Sequence, residues 1–241
     1  RTNPRPDMKS IGYYYPESYG PYKDNKSSNR IGKLSILKSK IFKDKTKYLP
    51  NFSPDKCKYL LELGCSSGNF LDQAVSHGWN VEGVEFSELA AEKAINKGHK
   101  VNIGQLERVD LSKNKYHAIV GWMVMEHLHN PNNVLKKINK SLNDKGVFIF
   151  SVPNFDSWTR RLFKSYWFNL QVPSHLYHYD KKSLQVLLNN NGFEIIDIKY
   201  QANMKDFILS VGHLLKENQY KKLGNFVLNI PKKIGNKIHI M

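Results

Sequence analysis

The stretch "LLELGCSSGNFL", residues 60–71, restricts the possible folds more than any other part of the chain. An apolar run of strand length meets two glycines four residues apart, and helical spacing begins directly after them. From Lys58 onward the same alternation repeats. "KYLLELG" reads as a strand, and "NFLDQAVSHG" as a helix stopped at Gly78. "NVEGVEF" is a second strand, and "SELAAEKAINKG" is a helix with a Ser87 N-cap and a Gly98 stop. "KVNIG" and "YHAIVGWMVM" are a third and fourth strand, "NPNNVLKKINKSLNDKG" a helix, and "GVFIFSVPN" a fifth strand. "DKKSLQVLLNNNG" is a helix from Asp180 to Gly192, and "FEIIDIKYQA" reads as a sixth strand. Strands alternating with helices in this way predict an α/β fold with a mostly parallel, doubly wound sheet.

Around that core the organisation is less regular. Residues 1–50 are expected to form an N-terminal arm and a helix over 31–49, with Tyr14, Tyr15 and Tyr19 placed to act as a lid. The core is expected over 51–204, with an aromatic acceptor-side insertion at 154–180, and residues 205–241 form a basic amphipathic tail. No apolar run reaches the roughly 18–20 residues that a membrane-spanning helix needs. The first residues, "RTNPRPDMKS", have neither the apolar core of a signal peptide nor an initiator Met, so the chain is expected to begin inside a longer gene product. Cys57 and Cys65 are the only cysteines, which argues against a disulfide framework and for a reducing, cytoplasmic setting. The net charge of +16 raises nucleic acid or an anionic membrane surface as partners. However, the lysines are scattered singly and in pairs, with no arginine-rich patch among aromatics, which fits a lysine-rich solvated surface.

The glycine turn has three readings. A phosphate-binding P-loop needs a wider glycine spacing followed by Lys-Ser/Thr, and Gly64 and Gly68 are too close. The dinucleotide fingerprint needs glycines at 66 and 69, where Ser66 and Asn69 stand. The third reading is a turn that works with an acidic residue one strand later. Gly64 turns the chain off the first strand, and Gly68 lets a ligand approach the backbone. Glu85, ending the second strand, can accept hydrogen bonds from two ribose hydroxyls.

With those segments, "YHAIVGWMVMEHLHNPNNVLKKINKSLNDKGVFIFSVPN" and "PSHLYHYDKKSLQVLLNNNGFEI" make the chain resemble class I S-adenosylmethionine-dependent methyltransferases. The nearest branch is the one around ubiquinone-type O-methyltransferases and the methyltransferases of polysaccharide gene clusters. The resemblance covers roughly residues 57–200 and implies a Rossmann-like, seven-stranded fold, although no seventh strand is evident before Met241. It implies S-adenosyl-L-methionine as cofactor and S-adenosyl-L-homocysteine as product. The turn Glu62, Gly64, Cys65, Ser66 and Gly68 would face the cofactor's methionine and Glu85 its ribose. Phe86, Gln105 and Leu106 would meet the adenine, and Met123 would lie beneath the methionine. The turn departs from the family pattern at Ser66, which replaces a glycine, and other departures fall at Gln105, His117 and Met123. The Cys-rich zinc knuckle that often precedes such proteins is not in this sequence, and no metal site is expected.

Methyl transfer needs a positioned nucleophile, and a hydroxyl acceptor also needs a base. His127, just beyond the fourth strand, is the leading candidate, with His175 and His178 in the aromatic segment as further ones. Each also has a structural reading, as a turn residue or a polar tip packed in a tyrosine-rich lid. The expected function is O-methylation of a small molecule such as a sugar, glycolipid or quinone-type acceptor, with peripheral membrane contact through the basic tail. The alternatives are an RNA-directed methyltransferase, against which the absence of an Asn-Pro-Pro-aromatic loop counts, and a non-catalytic cofactor-binding module.

Overall fold

The computed structural model describes residues 1–15, 44–51, 57–218 and 220–234. The expected helix over 31–49 therefore lies largely outside the described residues, as does Tyr19. Its described end holds a single 3-10 turn, Thr46–Tyr48.

Five parallel strands form the sheet in the order β3-β2-β1-β4-β5. They are β1 (Lys58–Leu63), β2 (Trp79–Glu85), β3 (Lys100–Ile103), β4 (Tyr116–Trp122) and β5 (Leu142–Ser151). Helix α1 (Asn69–Ser76) joins β1 to β2, α2 (Glu88–Ile95) joins β2 to β3, and α3 (Pro131–Ser141) joins β4 to β5. The apolar residues of β1 divide by parity. Leu61 and Leu63 pack with Ile119, Leu135 and Ile138 on one face, and Leu60 packs with Leu71, Ala74 and Val120 on the other. A strand covered on both faces needs an almost continuous apolar run, and "LLEL" supplies it. The order reverses beside β1: β2 and β3 lie on one side, β4 and β5 on the other. The loops at the carboxyl ends of β1 and β4 therefore diverge and leave a crevice.

The helix boundaries follow the signals in the sequence. Ser87 Oγ accepts from Ala90 N at 3.3 Å, and Asn130 Oδ1 accepts from Asn133 N at 3.1 Å ahead of Pro131. Asp180 and Ser183 form a reciprocal capping box at the start of α5 (Lys181–Asn189). Gly78, Gly98 and Gly192 all take the left-handed backbone conformation expected of helix stops.

The expected sixth strand is not formed: residues 193–202 run without a ladder to any described strand. Phe193 and Ile195 still pack on the core, but Ile196 and Tyr200 are exposed, so one face finds a partner and the other does not. The seven-stranded sheet is accordingly five-stranded among the described residues. A short helix, α4 (Trp158–Phe163), follows β5, and the tail forms a helical hairpin of α6 (Met204–Glu217) and α7 (Lys221–Ile234). Gly212 lies against Leu228, and Gly224 against the Lys216 backbone. Among the described residues no helix is long and apolar enough to cross a membrane.

Gly83, inside β2, shows how closely the sheet packs on the glycine turn. A Cβ there would lie 2.5 Å from Cys65 Sγ and 3.0 Å from Cys65 Cβ. Gly83→Ala is expected to cost about 1–3 kcal/mol, read from the denaturant midpoint. Combined with Cys65→Ala, it should cost less than the sum of the two single changes. Strict additivity would show that this contact is not what the glycine relieves.

Candidate active site

The glycine turn is built around one carboxylate. Gly64 leaves β1 with φ +67°, and the N–H groups of Gly64 and Cys65 both donate to Val84 O, at 2.8 and 3.0 Å. Glu85, almost fully buried at the end of β2, then ties the two loops together. Its Oε2 accepts from Ser66 N at 2.8 Å and its Oε1 from Ser87 N at 2.9 Å. Burial pushes the Glu85 carboxyl upward, and these backbone donors pull it back. Gly68, with φ +75°, precedes α1, and a Cβ on it would meet His99 and Ala94.

A cavity of about 460 Å³ opens over this turn at the carboxyl edge of the sheet. Gly64, Ser66, Glu85 and Phe86 line it from β1 and β2, and Gln105 and Leu106 from the loop after β3. Met123, His127 and His175 line its other wall. Four of the residues proposed from the sequence lie outside that lining. Glu62 is buried in β1, with no hydrogen-bond partner at Oε2 among the described residues, and burial holds its carboxyl well above the usual range. Cys65 is buried against Gly83, and burial, followed by the charges of Glu62 and Glu85, pushes its thiol upward. Gly68 caps α1. His178 packs on Phe155 at 5.3 Å between ring centroids, with its Nε2 donating to Leu170 O at 3.0 Å.

Backbone strain collects at this cavity. Among the described residues five non-glycine positions have positive φ, and three of them, Ser66 (49°), Met123 (58°) and Gln171 (36°), are in its wall. Side chains in this region cost on the order of 1 kcal/mol each, and they persist where a site's geometry demands them. Ser66→Gly should therefore stabilise the fold by about 0.5–1 kcal/mol, read as a rise in thermal midpoint. An unchanged or lower midpoint would mean that the serine side chain makes up for its strain.

The two histidines in the wall have their tautomers set by carbonyls. His127 Nδ1 lies 3.0 Å from Ser174 O, and His175 Nδ1 lies 2.8 Å from Asn169 O. A carbonyl can only accept, so each Nδ1 carries the proton, shared at His127 with the Tyr15 hydroxyl oxygen as a second acceptor, and each Nε2 keeps its lone pair. The ring centroids are 4.7 Å apart. Burial lowers the pKa of His127, and lowers that of His175 to about 3, so both are neutral at pH 7.

The N-terminal arm straps this wall to the loop after β3 and to Phe86. Thr2 N donates to Leu176 O at 2.9 Å, and Gln105 Nε2 donates to Met8 O at 3.2 Å. The Tyr15 hydroxyl lies 2.6 Å from His127 Nδ1, and the Tyr15 ring meets the edge of Phe86. Lys45 sits 4.5 Å over the Trp122 ring, where the Glu62 carboxylate opposes the desolvation of its ammonium.

A family model described as a methyltransferase domain matches residues 35–198, more than half of the chain. The chain belongs to this methyltransferase family. Solved structures share its fold at low identity. A S-adenosylmethionine-dependent methyltransferase from Mesorhizobium loti has a TM-score of 0.51 and 18% identity, covering 61% of this chain and 79% of that one. One from Archaeoglobus fulgidus has a TM-score of 0.53 and 17% identity, covering 83% and 89%. Phosphoethanolamine N-methyltransferase 2 from Haemonchus contortus, solved with S-adenosyl-L-methionine, has a TM-score of 0.54 and 15% identity, covering 83% of this chain and 45% of that one. No curated protein is similar enough to count as a match.

In this methyltransferase, Glu126 reads from the sequence only as a turn residue bonded to the backbone, and the structure gives it a different place. It is buried at 1% exposure, neither carboxylate oxygen has a hydrogen-bond partner among the described residues, and burial pushes it up to about 8. Glu126, His127 and His175 offer ligand atoms that all lie within 4.8 Å of one another, close enough to hold a metal ion. No sequence signal marks the trio, because His175 is 48 positions from His127 and only the fold joins them.

Glu126 and His175 also fix the pH range of greatest stability. The folded chain keeps the Glu126 proton up to about pH 8, whereas the unfolded chain releases it from about 4.5, so stability falls as pH rises between those values. His175 acts oppositely. The unfolded chain takes up a proton below about 6.5 and the folded one only near 3, so stability falls as pH drops through that range. The two slopes oppose one another between about pH 4.5 and 6.5, so stability should be greatest there and fall as pH rises from 6.5 to 8, with Glu62 and Glu85 adding to that fall. Urea unfolding of wild type and Glu126→Gln at pH 5.5 and 8 checks this. The variant should lose clearly less between the two values, and parallel losses would rule Glu126 out as the cause.

Proposed function

We propose that this methyltransferase takes its methyl group from S-adenosyl-L-methionine and delivers it to a hydroxyl of a small molecule. The observation that carries the reading is a single cavity with the Glu85-braced glycine turn at one end and a neutral imidazole, bare at Nε2, in the opposite wall.

The residues fit that cofactor. The cavity volume suits a ligand of nucleoside size. A carboxylate offers about four lone-pair sites, so Glu85 can still accept from a ribose hydroxyl after receiving the backbone N–H groups of Ser66, Ser87 and Phe86. Gln105 Oε1 is a buried acceptor with no hydrogen-bond partner among the described residues, and an adenine amine would satisfy it. Three carboxylates, Glu85, Glu107 and Asp206, line the cavity and suit a sulfonium's positive charge.

When bound, the cofactor supplies an electrophilic methyl on a sulfur that leaves as a neutral thioether. His127 Nε2 takes the acceptor's proton as the new C–O bond forms and the C–S bond breaks, with the electron pair left on sulfur. His175 packs edge-on against His127, and Ser174 O holds the imidazole in the tautomer that can accept. The arm, pinned through Tyr15 and Met8, keeps water from the reacting atoms.

Calorimetry with S-adenosyl-L-methionine and with S-adenosyl-L-homocysteine tests the cofactor, and a labelled-methyl assay over hydroxyl, amine and thiol acceptors tests the chemistry. Binding in the micromolar range with label on oxygen is expected. Label found only on nitrogen or carbon would overturn the hydroxyl reading, and no binding would overturn the whole.

A further inference from the structure

The N-terminal arm carries a residue that touches both halves of the site. The first stretch of the arm is fastened at several points. Thr2 Oγ1 donates to His175 O at 2.7 Å, His129 Nε2 donates to Pro6 O at 3.1 Å, and Arg5 lies over the Tyr177 ring. A 3-10 turn, Ile11–Tyr14, then buries Ile11 in the cavity wall. Tyr15 N donates to Gly12 O at 3.0 Å, which closes the turn and carries Tyr15 to the cavity. There its hydroxyl lies 2.6 Å from His127 Nδ1, and its ring meets Phe86 with centroids 6.3 Å apart.

The hydroxyl contact does more than pack. His127 Nδ1–H has two acceptors, Ser174 O at 3.0 Å and the Tyr15 oxygen at the shorter distance. Acceptors on two separate segments fix the plane of the imidazole, where one alone would let it tilt. They matter most once Nε2 has taken a proton. The ring is then cationic, and a hydrogen bond from a charged donor is roughly twice as strong as one from a neutral donor. An interaction that strengthens as charge develops speeds the chemical step without tightening ground-state binding. The ring contact reaches the cofactor half. Phe86 follows Glu85, is 42% exposed and lines the same cavity as Tyr15, so a ligand resting on Phe86 borders Tyr15 as well.

We propose that Tyr15 is a positioning residue for methyl transfer: its hydroxyl sets His127 for proton removal, and its ring ties that setting to an occupied cofactor site. The acceptor's proton goes to His127 Nε2, while the Tyr15 oxygen receives Nδ1–H before and after the step, so Tyr15 itself gains and loses no proton. This assignment rests on the methyl-transfer reading above. It goes further by joining to the base a residue 112 positions away, on a different segment of the chain.

Two measurements with S-adenosyl-L-homocysteine test this without any acceptor. In wild type the ligand should slow amide hydrogen exchange over residues 9–15 by about tenfold or more. Histidine ring NMR should show a persistent His127 Nδ1 proton, assigned by its loss in His127→Ala. Tyr15→Phe keeps the ring and removes the hydroxyl, so it should retain the arm protection and lose the persistence of that proton. Tyr15→Ala should lose both. With the best acceptor from the labelled-methyl assay, Tyr15→Phe should lower kcat about tenfold, leaving acceptor KM and S-adenosyl-L-homocysteine affinity within about twofold of wild type. A kcat within about twofold of wild type, a loss carried wholly by KM, or an equally persistent ring proton in Tyr15→Phe overturns the role of the hydroxyl. Arm exchange that is unchanged when the ligand binds overturns the coupling to the cofactor site. Failure of the wild type to bind S-adenosyl-L-homocysteine would instead remove the methyl-transfer reading, and this assignment with it.

Discussion

Replacing His127 by Ala is expected to lower kcat about 10²–10⁴-fold while leaving cofactor affinity nearly unchanged. His127 is the base in this reading because its Nδ1–H is shared between Ser174 O and the Tyr15 hydroxyl oxygen, which leaves Nε2 to receive a proton. Burial lowers its pKa, so the imidazole is already neutral below its ordinary value of 6.5. The kcat/KM profile should therefore rise with pH through a value under 6.5 and be level by pH 7, and the Ala variant should lose that limb. His175→Ala should cost less. A group held near 3 is too weakly basic to take the proton and serves to position its neighbour. Single-turnover rates separate the two. A His127→Ala rate within threefold of wild type would leave the imidazole a structural role in its turn.

Glu85→Ala should weaken cofactor binding about 100-fold or more, equivalent to roughly 2.7 kcal/mol. The change removes the proposed ribose acceptor and also orphans two backbone donors, Ser66 N and Ser87 N, so the loops it joins are free to separate. Glu85→Gln keeps one acceptor oxygen but turns an amide N–H₂ toward a donor, and it should fall between the two. Calorimetry with S-adenosyl-L-homocysteine reads the affinity, and urea unfolding separates it from lost stability. A cofactor Kd unchanged in a folded Glu85→Ala variant would place the ribose elsewhere.

Different parts of this protein were legible in the sequence to different degrees, and the reasons are physical. Strand–helix alternation, the capping residues Ser87 and Asp180, and the glycine stops are local signals, set by side-chain periodicity and by the bonds a residue makes within a few positions. They match the folded chain closely. The sixth strand shows the limit of such signals. "FEIIDIKYQA" has the composition of a strand, but a strand exists only where a ladder partner is available, and these residues find none among the described strands.

The same division runs through the site. The sequence by itself determined the parallel sheet, the glycine turn and the Glu85 carboxylate one strand away, because each lies within one βαβ unit where spacing fixes position. Only the tertiary structure decided which histidines share a wall. His127 and His175 meet because Asn169 O and Ser174 O orient their rings, whereas His178, three residues from His175, is turned onto Phe155 and Leu170. Likewise, Asp206 meets Asn169 only because α6 packs back on the loop after α4. Burial and tautomer are sums over neighbours that are distant in sequence, and no local pattern encodes them.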